Sequence, residues 1–96
     1  MPNTQNCRIR WTDYMVYRMA ARGFEQDRIE HILRFSGERY FDTETRRTVW
    51  VGKHGSQDVL IPCEVDGRTV TPVTIHAVTR QQIRFRTLSG RFLVVK

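Results

Sequence analysis

Arginine side chains recur near the carboxyl end of this chain at spacings that suit contact with phosphate. Arg80 and Arg84 share one face if their segment is helical, whereas Arg84 and Arg86 share one if it is a strand. Either geometry places two planar guanidinium groups together, and such groups bind phosphate oxygens through parallel N–H donors. The alternative is that these side chains are simply solvated. We predict that Arg80 and Arg84 contact phosphate.

One histidine and one tyrosine are the candidates for proton transfer. His76 stands just before the basic segment, where an imidazole can act as acid or base near neutral pH. The alternative is a half-exposed structural histidine. Tyr40 is close in sequence to Arg46 and Arg47, so it could stack on a base or protonate a leaving group. Its alternative role is to cap an edge of the core.

Other cationic and aromatic residues are candidates for binding a nucleic acid. Tyr14, Arg18 and Arg22 follow one another at the four-residue spacing of a helix face, although Tyr14 could instead pack at a helix margin with Arg18 stacked on it. The predicted binding residues are Tyr14, Arg18, Arg46, Arg47, Arg86 and Arg91.

The charge of the chain favours a polyanionic partner. Sixteen Lys and Arg residues against ten Asp and Glu give +6, and fourteen of the sixteen are Arg. No acidic residue follows Asp66. Because Arg suits phosphate and no long basic amphipathic helix is present, nucleic acid is favoured over a membrane surface. An acidic protein partner or a solvated face is the alternative.

Motifs for cofactors and metals are missing from the sequence. We find no Gly-rich phosphate loop, no serine nucleophile elbow and no Cys or His pair at zinc-ligand spacing, so neither a cofactor nor a metal is predicted.

Cys7 and Cys63 are expected to be reduced, with a disulfide between them as the alternative. Without an export signal or an apolar run of about 20 residues, we expect a cytoplasmic protein with no membrane contact.

The length of 96 residues fits a single domain, in which we predict residues 1–6 to be disordered. Thr12 and Gly23 have the residue types that begin and end a helix, and a second helix is predicted from about Gln26 to Phe35. A capping-box pattern at 79–82 predicts a third, short helix, although the alternation that follows it would also suit a strand.

The strongest β pattern extends from Thr48 to Ala77 and predicts a three-stranded antiparallel meander. We expect a five-residue loop at 53–57 as its first connection. Asp66-Gly67 is typical of a tight type I′ turn, which would place Val65 opposite Arg68.

Prolines and flanking segments complete the predicted sheet. Pro62 and Pro72 each remove a backbone donor, which predicts a bulge or an interrupted ladder near one of them. Short strands are predicted at Cys7–Trp11 and Arg39–Phe41, and a terminal strand or tail at Arg91–Val95. The predicted fold is α+β, with two N-terminal helices packed on one face of a twisted antiparallel sheet of three to five strands.

Several segments carry a likeness to a known family. They are Arg18–Phe24 followed by Ile29 and Leu33, then Glu38–Thr45, Val73–His76, Arg80–Ile83 and Gly90–Phe92. In this order they resemble the RelE/BrnT-like superfamily of small bacterial toxins, over roughly residues 9 to 92. Many relatives carry a histidine in the first helix where this chain has Tyr14, so the resemblance transfers no histidine-based role to that position.

The resemblance implies a RelE-like fold and a toxin, of a toxin and antitoxin pair, that cleaves RNA without a metal. In that reaction the 2′-hydroxyl attacks the adjacent phosphate, so a proton is removed, a phosphorane is stabilised and the leaving 5′-oxygen is protonated. Arg80 and Arg84 would stabilise the phosphate, while His76 or Tyr40 would transfer protons. The implied partners are RNA, free or on the ribosome, and an acidic antitoxin. A non-catalytic module of the same fold, binding nucleic acid or an acidic protein, is the alternative.

Overall fold

The computed structural model describes residues 4–95, which form three helices and one open sheet of seven strands. The elements in chain order are β1 (Arg8–Ile9), α1 (Asp13–Ala21), α2 (Gln26–Phe35), β2 (Arg39–Asp42), β3 (Arg47–His54), β4 (Gln57–Asp66), β5 (Thr69–Pro72), β6 (His76–Ala77), α3 (Arg80–Leu88) and β7 (Phe92–Val94). Within the described residues, no helix has the length and apolar character that crossing a membrane requires.

The predicted capping signals are confirmed at the helix ends. The Thr12 side chain accepts a hydrogen bond from the Met15 amide at 3.1 Å, and Gly23 adopts a left-handed φ of 75° after α1. Thr79 and Gln82 form the predicted capping box at the start of α3. The segment from 79 to 88 is therefore a helix, and the strand alternative is wrong.

The sheet is larger than predicted and is mixed. Its strand order is β1-β5-β4-β3-β2-β7, with β6 beside β4. The α+β class is confirmed, but the expectation of three to five antiparallel strands is wrong, because β1 pairs in parallel with β5, Arg8 lying opposite Thr69. This pairing joins residues far apart in sequence, so no local pattern indicates it.

The second meander turn lies one residue later than predicted. Asp66 pairs with Thr69, so the two-residue loop begins at Gly67, which has a φ of 58°. Val65 consequently does not face Arg68. The predicted and the observed register both place the same side chains on each face of the sheet, so the apolar pattern does not distinguish them. The positive φ of Gly67 at the first loop position is what fixes the observed register.

The first meander turn is tighter than predicted. His54 pairs with Gln57, which leaves only Gly55 and Ser56 in the loop instead of residues 53–57. Gly55 has a φ of 64°, which a two-residue hairpin turn requires.

The ladder between β4 and the chain after Pro72 contains an extra residue, as the prolines predicted. Pro72 pairs with Cys63 and His76 pairs with Leu60. Three residues separate Pro72 from His76, whereas two separate Leu60 from Cys63. The register therefore moves by one residue at this bulge.

Apolar side chains cover both faces of the sheet. On one face α1 and α2 pack on the strands through Met15, Met19, Ile29, Ile32, Leu33, Trp50, Val59, Ile61, Cys63, Val70 and Ile75. On the other face, here called the α3 face, the buried cluster is Val49, Val51, Leu60, Val78, Ile83 and Phe92. Cys7 and Cys63 are buried and free. The two predicted N-terminal helices thus share one face, and α3 occupies the opposite one.

The amino-terminal segment contacts the body of the protein. Thr4 is buried, its hydroxyl donates to the Arg34 carbonyl at 3.2 Å, and it accepts a hydrogen bond from Arg39 at 2.8 Å. These contacts fall within residues 1–6, the segment predicted to be disordered. Residues 1–3 lie outside the described residues.

We expect the Gly52→Ala variant to lose about 1 to 3 kcal/mol of unfolding free energy. A Cβ at Gly52 would lie 2.7 Å from two carbon atoms of Ile32, so α2 would have to move away from the sheet. Urea denaturation of the variant measures the loss. Gly37→Ala is the matched control, because a Cβ there would meet no atom within 4 Å. Equal stabilities for the two variants would contradict this packing.

Candidate functional site

The net positive charge lies outside the layer of the first two helices. Residues 12–36, which contain α1 and α2, hold four basic and four acidic residues. The formal charge of +6 therefore belongs to the strands, their connections, α3 and the chain ends. A polyanion would be attracted to this part of the protein.

His76 and Glu38 end one row of residues that crosses the sheet. His76 pairs with Leu60, Leu60 pairs with Val51, and the Val51 amide donates to the Glu38 carbonyl at 3.0 Å. Paired residues point to the same face, and Leu60 and Val51 belong to the α3 face. His76 therefore points to the α3 face as well. Three strand spacings, about 14 Å in all, separate it from Glu38, so one phosphate cannot contact both.

The first group of side chains, here called the His76 cluster, comprises Tyr14, Arg18, Arg22, His76 and Arg86. Arg18 places one terminal nitrogen 3.4 Å from His76 Nδ1, and the other donates to the Tyr14 hydroxyl at 3.3 Å. Because a guanidinium only donates, Nδ1 is the acceptor and the ring proton lies on Nε2. Arg18 Nε is buried without a hydrogen-bond partner in the described part of the chain.

Burial lowers the pKa of His76, and the positive charges of Arg18, Arg22 and Arg86 lower this pKa further. Among the described residues, no carboxylate contributes to the shift. The imidazole is therefore neutral at pH 7 in a strongly positive environment. Such a cluster can bind a phosphate and accept a proton at the same place.

The second group, here called the Glu38 network, comprises Glu38, Tyr40 and Arg80. Arg80 binds both carboxylate oxygens of Glu38, through NH1 at 2.9 Å and through NH2, and the Tyr40 hydroxyl donates to Glu38 Oε2 at 2.7 Å. Arg80 also lies 3.9 Å from Asp58. Glu38 thus compensates the charge of Arg80, which weakens Arg80 as a phosphate ligand.

Arg84 lies beside this network. It follows Arg80 by one helical turn, as predicted, and together with Tyr40 these residues line an open cleft of about 340 Å³. Among the described residues Arg84 makes no ion pair, and its side chain is exposed. Arg84 is therefore better placed than Arg80 to contact an incoming phosphate.

Burial raises the pKa of Tyr40, and its hydrogen bond to Glu38 and the negative charge of that carboxylate raise this pKa further, against an opposing effect of Arg80. The phenol consequently holds its proton more tightly than a free tyrosine does. Tyr40 also stacks on Phe92 with ring centres 5.4 Å apart. These contacts suit a positioning role for Tyr40 better than proton transfer.

The remaining predicted binding residues do not join either group directly. Arg91 forms a two-pronged ion pair with the buried Asp42, with both N···O distances 3.0 Å. Arg47 lies 3.6 Å from Glu64, and Arg46 is exposed in the turn between β2 and β3 with a φ of 61°.

Arg86 connects the His76 cluster with the core below α3. Its guanidinium lies 5.6 Å from the centre of the Phe92 ring, and its charge acts on His76. Arg86 and Arg80 leave α3 on opposite sides of the buried Ile83, because the helix turns by about 100° per residue. The predicted quartet of His76, Tyr40, Arg80 and Arg84 therefore shares one face of the sheet but is divided by α3.

Sequence reasoning missed Glu38, and it placed Arg22 on one helix face with Tyr14 and Arg18 but left it out of the predicted binding residues. Arg22 had a local signal, since it follows Arg18 by one helical turn. Glu38 had none, because its partner Arg80 lies 42 residues away. Within residues 4–95, no three or more His, Cys, Asp or Glu side chains group in a way that could hold a metal ion.

The comparisons with known proteins leave the function to be argued from this geometry. Protein-family models, curated protein sequences and solved structures all give no match to the chain.

Proposed function

We propose that this protein binds single-stranded RNA on the α3 face of its sheet, at the edge where Arg18 from α1 reaches His76, and cleaves it without a metal ion, as a toxin of the RelE-like type. The observation that carries the proposal is the His76 cluster, a neutral imidazole that contacts the Arg18 guanidinium and is affected by the charges of Arg22 and Arg86. Transesterification of a phosphodiester needs a proton acceptor and positive charge at the same phosphate. The cluster supplies both.

The reaction begins with an exchange of partners at Arg18. The Arg18 guanidinium donates its hydrogen bonds to the phosphate oxygens instead of to His76, which leaves His76 Nδ1 free to accept a proton. That nitrogen accepts the proton of the ribose 2′-hydroxyl while the 2′-oxygen forms a bond to phosphorus and the bond from phosphorus to the 5′-oxygen breaks. The Tyr14 hydroxyl protonates the leaving oxygen, and exchange with water restores both groups. The products are a 2′,3′-cyclic phosphate and a free 5′-hydroxyl.

The other cationic side chains have supporting roles in this scheme. Arg22 and Arg86 stabilise the negative charge of the phosphorane, and Arg84 and Arg47 contact phosphates farther along the strand. Tyr40 and Arg80, held by Glu38, fix α3 over the sheet and do not transfer protons.

The partners and location follow from the same proposal. RNA would be bound free or on the ribosome in the cytoplasm, and an acidic antitoxin would neutralise the toxin by covering the basic α3 face. A charge-rich acidic segment complements this face, whereas the two basic residues of α2 are balanced by two acidic ones, so α2 offers little attraction.

A non-catalytic interaction module is the second candidate. It is favoured by the internal pairing of cations on the α3 face, where Glu38 holds Arg80, Asp42 holds Arg91 and His76 Nδ1 already accepts from Arg18. In that case the face would bind RNA or an acidic protein without breaking a bond.

Incubation of fluorophore-labelled single-stranded RNA with the protein in EDTA separates these candidates. We expect cleavage with cyclic-phosphate ends, and no cleavage of the same strand carrying 2′-deoxyribose throughout, because it lacks the attacking hydroxyl. Binding to the deoxy strand should weaken with salt at a log–log slope of about −2, the value for three phosphate contacts.

Arg28→Gln is the control variant for these measurements. It removes one positive charge from α2, where Arg28 is exposed away from the α3 face, so it should bind and cleave as the wild type does. Salt-dependent binding with intact RNA, with and without ribosomes, would select the non-catalytic module. An RNA affinity that does not change with salt concentration would contradict both RNA cleavage and non-catalytic RNA binding.

A further inference from the structure

An open cleft of about 370 Å³ lies beside the His76 cluster, at the edge where β5 ends. Its walls include Arg10, Tyr14, Glu64 and Thr71. The volume falls within the range of small-molecule sites, although the cleft is open to solvent. It has room for one nucleobase with its sugar.

The cleft and the His76 cluster share a residue. The Tyr14 ring lines the cleft, while its hydroxyl accepts a hydrogen bond from Arg18, which in turn contacts His76. An RNA strand whose phosphate is held by Arg18 would therefore place a neighbouring nucleotide against Tyr14. Tyr14 is 54% exposed, so its ring offers a face on which a base can stack.

Two charged groups on the cleft walls complement different parts of a nucleotide. Arg10 is exposed and forms no ion pair among the described residues, which leaves its guanidinium available for a phosphate. Glu64 presents a carboxylate, which only accepts hydrogen bonds when ionised. Arg47 lies 3.6 Å from Glu64 Oε1, farther than a hydrogen bond.

A carboxylate selects bases that present N–H donors. The Watson–Crick edge of guanine carries two adjacent donors, N1–H and the 2-amino group, which match the two oxygens of a carboxylate. Adenine offers its amino group beside a ring nitrogen that is itself an acceptor, so the second oxygen of Glu64 would be repelled. The electrostatics of the cleft therefore favour guanine.

We propose that this cleft is a nucleotide subsite that selects a guanine next to the cleaved phosphate. Tyr14 stacks on the base, Glu64 reads its Watson–Crick edge and Arg10 binds its outer phosphate. The inference rests on the proposed function for its place beside the cleavage site, but the nucleotide-binding step can be measured separately.

Titration of the protein with guanosine and adenosine 5′-monophosphates, followed by NMR, tests the subsite directly. We expect guanosine monophosphate to bind about 10-fold more tightly, and Glu64→Gln to remove most of this preference. Glu44→Gln is the matched control, because Glu44 is an exposed carboxylate on another turn and should leave the preference unchanged. Tyr14→Ala should weaken both ligands, whereas Tyr14→Phe keeps the ring and should bind both normally.

Cleavage of RNA strands that differ only in guanine or adenine content then locates the subsite on the substrate. The inference is supported if the wild type cleaves next to guanine and the Glu64→Gln variant cleaves without a base preference. RNA cleavage without base preference, or with one that Glu64→Gln leaves intact, overturns the inference while the proposed function stands. Selective monophosphate binding with intact RNA supports the nucleotide site and overturns the cleavage function.

Discussion

Replacing His76 by alanine is expected to lower kcat/KM for RNA cleavage by at least about 100-fold, the usual contribution of one proton-transferring group. Affinity for the non-cleavable deoxy strand should change far less, because a neutral imidazole contributes no charge to phosphate binding. His76→Asn is a second variant of similar size that can hydrogen-bond to Arg18 but cannot take a proton. Both variants should therefore bind and fail to cleave.

The acid limb of the pH–rate profile provides a readout specific to this role. Burial and the neighbouring arginines lower the pKa of His76, so the imidazole stays neutral, and cleavage persists, below the ordinary histidine value of 6.5. Arg22→Gln removes one of these positive charges, which raises the pKa and moves the acid limb to higher pH. Arg28→Gln should leave the limb in place.

The proton-transfer role would be contradicted by wild-type rates in His76→Ala or by an acid limb that Arg22→Gln moves to lower pH. A direct NMR titration of the His76 ring gives the same pKa without reference to activity. Agreement between the ring titration and the rate profile would identify His76 as the proton acceptor.

Replacing Asp42 by asparagine is expected to cost about 3 kcal/mol of unfolding free energy at pH 7, because it removes one partner of a largely buried ion pair. The Asp42 side chain is 5% exposed and that of Arg91 is 32% exposed, so water screens this pair only partly. Asp42 also accepts a hydrogen bond from the Glu44 amide at 3.0 Å, which holds the turn after β2. The variant keeps the shape of this contact but loses the charge.

The pH dependence of this loss has a definite sign. Burial opposes ionisation of Asp42, but hydrogen bonds from Arg91, the Glu44 amide and Thr45 outweigh it and lower its pKa below 3.8. A carboxyl with a lowered pKa in the folded state stabilises the protein above its unfolded pKa and loses this contribution as the pH falls. The gap between wild type and Asp42→Asn should thus be constant from pH 6 to 8 and shrink below about pH 4.

Urea denaturation at pH 7, 5 and 3 measures this gap. Glu44→Gln is the control, since Glu44 is 68% exposed and lies 3.4 Å from Arg91, so its loss should change stability by less than about 0.5 kcal/mol. A difference for Asp42→Asn that is equally small, or that does not vary with pH, would contradict a stabilising role of this pair.

Local chemistry in the sequence was sufficient to predict the helices. The helix boundaries depend on side chains that bond to backbone groups three residues away, as at Thr12 and Thr79, or on the positive φ of Gly23. The predicted second helix has the observed bounds, Gln26–Phe35, and Glu30 and Arg34, one helical turn apart on it, form an ion pair at 2.9 Å.

Sheet register and the pairing of charges depend on distant parts of the chain. The parallel pairing of β1 with β5 joins Arg8 to the distant Thr69, and the turn after Asp66 is displaced by a single residue. Arg80 and Arg91 looked available for phosphate because their partners, Glu38 and Asp42, are more than forty positions away. The sequence thus indicated a basic region but not which of its cations are free.

The extra residue between Pro72 and His76 decides the chemical character of one sheet edge. If the ladder continued without it, Ile75 would stand opposite Leu60 and His76 opposite Val59, whose side chain lies in the core under α1 and α2. The imidazole would then be enclosed by hydrocarbon and shielded from water. A backbone irregularity next to two prolines therefore places a half-exposed imidazole, rather than an isoleucine, at this edge of the sheet.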